Sequence, residues 1–275
     1  MKDIRFRRIV VPTDFSELAT GALELAGGIA HRSGGDVDLL YADPFLPPPH
    51  FTSSQVEALA EDLRQSKHLA TEELERYRTE HLSAEIAGRS LVIESRPVGA
   101  IVNYSTDRDA DLIVMGTHGR SGIKRMMLGS VTERVLREAT VPLLTTRREP
   151  GEVRPIRSIL CPVNFTGAAE NALRHATELA RLMDAGLSVV HVRESEDHER
   201  DEDQEIDRCV IDAGGTPDEV DRVLLTGNAD EAVLRYVAEH DVDLVVLAAT
   251  HKRFFATTVL GSTTVHVIRL SPVPV

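Results

Sequence analysis

A glycine-spaced segment near the middle of the chain is the strongest candidate for a chemical role. It contains Gly116, Gly119 and Gly129, and Ser130 begins a helical pattern directly after the last glycine. Glycine lets the backbone approach a bound group closely, and the first N–H groups of a helix attract anions. We therefore expect this segment to bind a phosphate-bearing ligand. The alternative is that the glycines only form turns and that Ser130 and Glu133 form a capping box.

The same segment is basic, although the chain as a whole is acidic. Lys and Arg total 31 and Asp and Glu total 44, so the net charge of −13 argues against nucleic acid and anionic membranes as partners. Arg120, Lys124 and Arg125 nevertheless place positive charge where a small polyanion would bind. His118 could contact a phosphate or act as a base. Since the sequence shows no carboxylate or nucleophile positioned beside it, a solvent-facing loop histidine is the favoured interpretation.

Asp14 is the second candidate, because it follows an apolar run that predicts a strand at residues 9–12. A carboxylate at the end of such a strand can accept hydrogen bonds from a ribose hydroxyl or an adenine amine. The alternative is that Asp14 caps the following helix, a role that Ser16 can fill equally well.

The sequence contains an internal repeat, which divides the chain into two copies. Residues 8–16 (RIVVPTDFS) recur as 158–166 (SILCPVNFT), an offset of 150, whereas residues 110–114 recur as 242–246, an offset of 132. The second copy is therefore 18 residues shorter, and the loss falls between its second and third strands. We expect two domains, at residues 1–148 and 155–275, joined by a short linker that contains Pro and Gly.

Strands and helices alternate in the predicted order. In the first copy we expect strands at 9–12, 37–42, 91–94, 112–115 and 141–145, with helices beginning near 16, 54, 98 and 130. The strands are largely apolar, which is typical of parallel strands covered on both faces. The prediction is an α/β fold with two doubly wound domains, each a five-stranded parallel sheet with helices on both faces. Ligands of such sheets bind beyond the carboxyl ends of the strands, where Asp14 and the glycine segment lie.

These motifs resemble the universal stress protein family, specifically a tandem member with two such domains in one chain. The resemblance rests on residues 11–14 (VPTD), on residues 111–120 (DLIVMGTHGR) and on the spacing Gly-x2-Gly-x9-Gly-Ser, and it covers nearly the whole chain. It implies an adenine nucleotide alpha hydrolase-like fold that binds ATP, with or without Mg²⁺, and pairing of the two domains through their last strands. Carried over by position, it implies a nucleotide site formed by Pro12, Thr13, Asp14, Ala42, Met115, Gly116, His118, Gly119, Arg120, Gly129, Ser130 and Val131.

The second copy departs from this pattern, since two glycines and the carboxylate are missing. The replacements are Asn164 for Asp14, Ala248 for Gly116, and for Gly119 either His251 or, with a one-residue slip in the alignment, Lys252. Phe254 and Phe255 add bulk to the same loop, whereas Gly261 and Ser262 preserve the last part of the motif. We predict that the second domain binds no ATP or binds it far more weakly.

The chain also carries signs of its cellular location. Its two cysteines, Cys161 and Cys209, are too few for a disulfide framework. The sequence has no apolar run long enough for a signal peptide or a membrane span. We therefore expect a cytoplasmic protein with reduced thiols.

The leading functional hypothesis is an ATP-binding stress-response regulatory protein with a structural or regulatory second domain. The sequence has no Walker A spacing, no metal-ligand pair on a helix and no nucleophile elbow, so we expect at most slow ATP hydrolysis. The alternatives are a nucleotide-independent interaction scaffold and an ATP-using ligase or hydrolase. Because Val275 corresponds to Leu143, we also expect a clipped last strand in the second copy, an asymmetric pseudo-dimer and an exposed edge at which a homodimer could form.

Overall fold

The computed structural model describes residues 4–44, 53–119, 128–152, 154–193, 201–249, 251–254 and 257–275. Side chains are described for these residues except at 53–58, 60–63, 251–254 and 257–260. The predicted basic residues Arg120, Lys124 and Arg125 lie outside the described residues, and so does Phe255.

The described residues of the first copy form a five-stranded parallel sheet, as predicted, in the order β3-β2-β1-β4-β5. The elements are β1 (Arg8–Thr13), α1 (Glu17–Ser33), β2 (Asp36–Ala42), α2 (Ser53–His81), β3 (Ala87–Ile93), α3 (Pro97–Asp107), β4 (Leu112–Gly116), α4 (Ser130–Glu138) and β5 (Leu143–Thr146). β3 begins earlier than predicted because residues 87–90 (AGRS) lie on the sheet edge and are not apolar. β5 begins later because Pro142 has no N–H group for the ladder.

The described residues of the second copy form a four-stranded parallel sheet in the order β8-β7-β6-β9, and a separate antiparallel hairpin of β10 and β11. The elements are β6 (Ser158–Val163), α5 (Gly167–Met183), β7 (Gly186–Arg193), α6 (Glu202–Asp212), β8 (Val220–Thr226), α7 (Ala229–Glu239), β9 (Leu244–Val245), β10 (His251–Phe254), β11 (Thr257–Leu260) and α8 (Ser262–Leu270). The sequence predicts five strands for this copy with the last one clipped, and the described residues form four in the parallel sheet. At the place of the last strand, the carbonyl of Pro274 accepts a bond from the N–H of Val245 on β9 at 3.0 Å.

The helix that follows the second strand accounts for the unequal lengths of the two copies. In the first copy, α2 has 29 residues, and in the second copy α6 has 11, a difference of 18. The sheets themselves keep equivalent strand registers, since Arg8 lies opposite Asp36 on β2 and Ser158 lies opposite Gly186 on β7. The shortening therefore removes helix from the second copy and leaves the register between its first two strands unchanged.

The first helix of each copy begins and ends in the same way. Ser16 caps α1 and accepts a bond from the N–H of Ala19 at 3.3 Å, and Thr166 caps α5 through Ala169 at 3.4 Å. α1 ends at Gly34 with φ of 62°, a left-handed conformation that glycine adopts without strain. No helix among the described residues is both long and apolar enough to cross a membrane.

The two copies pack against each other through the last strand of the first and the C-terminal segment of the second. The N–H of Thr145 donates to the carbonyl of Val275 at 2.8 Å, and the N–H of Val275 donates back at 3.0 Å. One buried hydrophobic cluster continues from the first copy into the second, and Phe6 meets His175 edge-on with ring centroids 6.4 Å apart. The resemblance implied this pairing of domains.

Candidate nucleotide site

Two loops of the first copy meet beyond the carboxyl ends of β1 and β4. These strands are neighbours, with Ile9 opposite Leu112, so the residues that follow them emerge side by side. The loop after β1 carries Asp14, and the loop after β4 carries Gly119. A Cβ built on Gly119 would lie 2.3 Å from Oδ2 of Asp14, closer than real side chains approach. Only glycine therefore fits at residue 119 while the Asp14 carboxylate stays in place.

Asp14 is held by the first turn of the loop rather than by the helix. Its Oδ1 accepts hydrogen bonds from the backbone N–H of Ser16 at 3.1 Å and from the hydroxyl of Ser16 at 2.6 Å. The helix cap is Ser16, so the alternative in which Asp14 caps α1 is wrong. Two short bonds fix the carboxylate at the edge of the sheet, partly exposed and facing the glycine loop.

Buried and partly buried polar and aromatic groups stabilise the turn that carries Asp14. Thr13 is buried, and its hydroxyl accepts a bond from the N–H of Phe15 at 2.9 Å. Phe15 adopts a left-handed φ of 60°, and its ring packs against Tyr77 with centroids 5.3 Å apart. The hydroxyl of Tyr77 lies 2.7 Å from that of Thr20. Pro12 and Thr13 therefore contribute to the candidate site by fixing the backbone conformation of the turn that carries Asp14.

The remaining glycines close the loop after β4 onto the start of α4. A Cβ on Gly116 would lie 3.0 Å from the backbone of Leu18, and the N–H of Gly129 donates to the carbonyl of Thr117 at 2.7 Å. The hydroxyl of Thr132 donates to the carbonyl of Gly116 at 3.0 Å. These contacts bring the first turn of α4 against residues 117 and 118.

The first turn of α4 carries no side-chain cap. Gly129 is the cap residue, and Ser130 is the first helical residue. The expected partner in a capping box, Glu133, forms an ion pair with Arg137 at 2.7 Å instead. The capping-box alternative is therefore wrong, and no side chain among the described residues caps the N–H groups at the start of α4. Such N–H groups, together with the helix dipole, favour an anionic ligand.

Three of the predicted residues border one apolar cluster on the α3 and α4 side of the sheet. Met115 is buried within it, and Ala42 and Val131 are partly buried against it. They come from the ends of β2 and β4 and from the first turn of α4, so the sheet edge brings them together. They can supply an apolar surface next to the polar loop.

His118 is half-buried, not solvent-facing as the sequence suggested. Its Nδ1 lies 3.0 Å from the hydroxyl of Thr117, and its Nε2 is buried without a hydrogen-bond partner among the described residues. Burial and the charge of Arg147 lower the pKa of His118 below its ordinary value, so the imidazole is neutral at neutral pH. A buried nitrogen without a partner is costly, and a polar ligand group would relieve that cost.

The sequence analysis did not identify Arg147 as a candidate site residue. This residue directly follows β5, the neighbour of β4, so its position at a carboxyl end of the sheet is the signal that could have identified it. One of its terminal nitrogens donates to the carbonyl of Arg269 in the second copy. Arg147 therefore links the candidate site to the second domain.

The corresponding region of the second copy preserves the turn but not the loop. Oδ1 of Asn164 accepts a bond from the hydroxyl of Thr166 at 2.7 Å, in the same way as Asp14 and Ser16. The hydroxyl of Thr264 donates to the carbonyl of Ala248 at 3.0 Å, as Thr132 does to Gly116. Residues 251–254 form β10 of the hairpin where the first copy has the glycine loop. The second copy thus keeps the same turn and the same helix contact, but it has the neutral amide of Asn164 in place of the Asp14 carboxylate.

The chemistry of the first-copy site is that of binding. A carboxylate, an apolar surface, a neutral imidazole and a helix N-terminus suit a ligand with hydroxyl, apolar and anionic parts. Among the residues that the structure describes, no group of three His, Cys, Asp or Glu side chains is placed to hold a metal ion. The described thiols do not contribute, since Cys161 is buried in the second copy and burial raises the pKa of its thiol.

Comparison with known proteins places the chain in a family. The model of the universal stress protein family matches residues 5–147, 155–208 and 194–275. A universal stress protein of Synechocystis sp. is 25% identical over 289 residues, covering 98% of each chain. The solved structure of a universal stress protein from Archaeoglobus fulgidus has a TM-score of 0.72 and 25% identity, covering 97% of this chain and 96% of that one.

One solved universal stress protein contains a cyclic nucleotide. A solved universal stress protein in complex with cAMP is 24% identical, covers 51% of this chain and 96% of its own, and has a TM-score of 0.34. The family model matches in both copies, and the alignments with the Synechocystis and Archaeoglobus proteins run over nearly the full length of the chain. The chain therefore belongs to the universal stress protein family, as a tandem member with two such domains.

Proposed function

We propose that the protein binds ATP in its first domain and acts as a cytoplasmic regulatory protein of the stress response. The observation that carries the proposal is the contact between Gly119 and the Asp14 carboxylate, since it places a charged acceptor against the backbone at the start of the loop after β4. Asp14 would accept hydrogen bonds from the ribose hydroxyls. Ala42, Met115 and Val131 would contact the adenine or the adjoining sugar.

The phosphates would bind between the start of α4 and the loop after β4. Gly129 and Ser130 would offer backbone N–H groups, and Nε2 of His118, carrying its proton, would donate to a phosphate oxygen. The buried, unpartnered state of that nitrogen supports this role. Arg120, in the same loop, and Arg147, near His118, would add positive charge against the overall negative charge of the chain.

Hydrolysis would be slow at most. With its proton on Nε2, His118 would donate to the phosphates and would not act as a base toward them, and the described part of the loop places no nucleophile beside it. The second domain would bind no ATP or bind it far more weakly, since Asn164 replaces the carboxylate and β10 replaces the glycine loop. Its role would be structural or regulatory, transmitted through the paired ends of β5 and the C-terminal segment.

The test exchanges the aspartate of the first domain and the asparagine at the corresponding position of the second, two side chains of nearly the same shape. Asp14→Asn removes the negative charge, and the second copy shows that an asparagine keeps the same turn. We expect ATP affinity, measured by calorimetric titration, to fall at least about tenfold, because a hydrogen bond to a charged group contributes about 1.5–3 kcal/mol. Asn164→Asp serves as the matched control and should leave one binding event per chain.

Two results would contradict the proposal. The first is unchanged ATP affinity of the Asp14→Asn protein, which would place the site elsewhere. The second is an unchanged melting temperature of the parent protein in millimolar ATP, since a ligand that binds only the folded state must stabilise it. That second result would favour a nucleotide-independent interaction scaffold.

A further inference from the structure

The carboxyl ends of the first sheet lie beside the amino ends of the second. Thr145 on β5 and Val275 exchange two backbone hydrogen bonds, which is the pattern of antiparallel chains. In the same arrangement, the guanidinium of Arg148, just beyond β5, donates to the carbonyl of Asp243, just before β9, at 3.2 Å. Elements at the amino edge of the second sheet can therefore contact the candidate site of the first domain.

Arg269, in the last turn of α8, makes two such contacts. Its carbonyl oxygen accepts a hydrogen bond from a terminal nitrogen of Arg147. Its guanidinium forms an ion pair with Glu133 in the first turn of α4, with Nη2 3.6 Å from Oε2. The two helices also pack through Leu136 and Ile268, which belong to one buried cluster. A single residue of the second domain thus holds two residues of the first.

These two contacts lie on either side of the place proposed for the phosphates. The N–H of Thr117 donates to the carbonyl of Thr146 at 3.0 Å. The residues that follow, His118 and Arg147, are therefore neighbours at the sheet edge, and the charge of Arg147 helps to lower the pKa of His118. On the other side, Glu133 belongs to the turn of α4 whose N–H groups would bind the phosphates.

The charge of Glu133 would oppose a phosphate at the start of α4. A carboxylate in the first turn of a helix interacts favourably with the helix dipole, but it repels an anion that binds to the same turn. Two arginines offset this charge, Arg137 on α4 at 2.7 Å and Arg269 from the second domain at 3.6 Å. Loss of Arg269 would therefore leave the phosphate end of the site more negative.

The repeat shows that this contact serves the first-domain site. At the offset of 132, Arg269 corresponds to Arg137, so arginines from equivalent positions of the two copies converge on Glu133. In the second copy, Val265 stands at the position of Glu133, where an equivalent contact would need a carboxylate. The arrangement supports the domain that keeps the glycine motif and Asp14.

The main chain of Arg269 acts on Arg147. The last carbonyl groups of a helix lack partners within the helix and form the negative end of its dipole, so a cation is favoured there. The bond to the carbonyl of Arg269 fixes the guanidinium of Arg147 at the boundary between the domains. Because this bond uses a main-chain oxygen, a change of the Arg269 side chain removes the ion pair to Glu133 and retains the acceptor for Arg147.

We propose that Arg269 is a positioning residue of the first-domain site, through which the second domain sets the affinity for the charged end of the ligand. Its guanidinium offsets the charge of Glu133 beside the bound phosphates, and its carbonyl holds Arg147 next to His118. This inference rests on the proposed function, because it concerns the same site. The contribution of the Arg269 side chain should therefore grow with the number of phosphates on the ligand.

The test compares ligands that share adenosine and differ in charge. The full chain and its Arg269→Met variant are titrated calorimetrically with ATP, ADP and AMP. We expect the variant to bind ATP about three- to tenfold more weakly, with a smaller loss for ADP and the smallest for AMP, because the Coulomb energy scales with the charge of the ligand. Arg269→Lys keeps the positive charge and should restore most of the ATP affinity.

A change at Glu133 separates neutralisation of this carboxylate from a direct effect of Arg269 on the phosphates. Glu133→Gln should raise the ATP affinity, and in that background Arg269→Met should change it less than about twofold. Arg181→Met is the matched control. Its guanidinium is also in the second domain, is 48% exposed against 40% for Arg269, and pairs with Glu178 of its own helix at 2.8 Å. This control should leave the affinity for all three nucleotides unchanged.

Three results would overturn this role of Arg269 alone. Equal losses for ATP and AMP would show that Arg269 only supports the fold, and an undiminished loss in the Glu133→Gln background would show that it does not act through Glu133. The third is an unchanged ATP affinity of Arg269→Met together with the expected loss in Asp14→Asn, since the nucleotide site would then stand without Arg269. Absence of ATP binding to the parent protein would instead overturn the proposed function and this role together.

Discussion

The Cα atom of Gly119 lies so close to Asp14 that a Cβ at residue 119 would come within 2.3 Å of the carboxylate Oδ2. The two residues are 105 positions apart in the sequence, and the pairing of β1 with β4 brings them together. This contact makes the glycine at 119 a condition for the position of the carboxylate. It also distinguishes the first domain from the second, where neither residue is present.

The first prediction follows from this contact. Gly119→Ala should displace the Asp14 carboxylate and weaken ATP binding by at least about tenfold in calorimetric titration, with little change in overall fold by circular dichroism. Gly28→Ala is the matched control, because no described residue outside the neighbouring turns of α1 comes within 4 Å of a Cβ there. In the interior of α1 it should leave binding intact and add up to about 1 kcal/mol of stability. Equal loss of binding in both variants would contradict the assignment.

The second prediction concerns pH. Burial and Arg147 lower the pKa of His118 from its ordinary value of 6.5 in the folded protein. The unfolded chain then binds a proton more readily than the folded one, so the free energy of unfolding falls as pH drops through 6.5 toward the lower folded-state pKa. Above pH 6.5, the contribution of His118 to the free energy of unfolding does not change with pH.

His118→Gln measures that contribution directly. The difference in the free energy of unfolding between the parent and the variant, determined by urea titration between pH 5 and 8, should decrease as the pH falls. A constant difference across that range would show that the environment of His118 does not disfavour its charged form. The variant should fold, since glutamine keeps a polar group next to Thr117.

The sequence predicted the parts of the molecule that depend on local pattern. Apolar runs such as residues 112–115 are long and uniform, so the strands and their parallel arrangement could be predicted. The repeat offset located the shortened helix α6. The fifth strand of the second copy was predicted from the first copy alone, and Pro272 and Pro274 favour a short extended segment because they lack N–H groups.

Contacts across the fold could not be predicted in the same way. The lowered pKa of His118 depends on its burial and on the charge of Arg147, 29 residues away in sequence, and no local pattern relates the two residues. Likewise, the capping box of Ser130 and Glu133 had the correct spacing, but Glu133 pairs with Arg137 and lies 3.6 Å from Arg269 of the second copy. Glu133 therefore has one partner on its own helix and one in the second copy, in place of the contact that the capping-box spacing predicted.

The third prediction concerns a buried carboxylate remote from the nucleotide site. Asp38 is 6% exposed, and its Oδ2 accepts a bond from the hydroxyl of Tyr104 at 2.8 Å, with Nε of Arg108 at 3.5 Å. Tyr104→Phe removes the closer donor and should cost about 1–3 kcal/mol in the free energy of unfolding. Tyr236→Phe is the control. The ring of Tyr236 stacks on His240 with centroids 3.8 Å apart, and phenylalanine keeps that ring, so this change should cost less than Tyr104→Phe.

The same hydroxyl should also show a pH dependence. Burial and the bond to Asp38 raise the pKa of Tyr104 from its ordinary 10.0 to about 12. The unfolded chain therefore loses this proton first, and the stability due to Tyr104 should fall as pH rises from 10 toward 12. Tyr104→Phe should be less sensitive than the parent to pH in that window. Identical pH profiles would show that the folded protein does not raise the pKa of the Tyr104 hydroxyl.

The fourth prediction concerns the joint between the two domains. Phe6 is buried in a hydrophobic cluster that includes residues of both copies, and its ring contacts His175 on α5. Because the cluster is shared, the two domains should unfold in one cooperative transition. Phe6→Ala removes a large buried side chain and should cost about 3–5 kcal/mol, whereas Phe6→Leu should cost less because it leaves a smaller cavity. Calorimetry should show a single peak at a lower temperature for Phe6→Ala. Two separate peaks in the parent protein would contradict a shared core, because each domain would then be stable without the other.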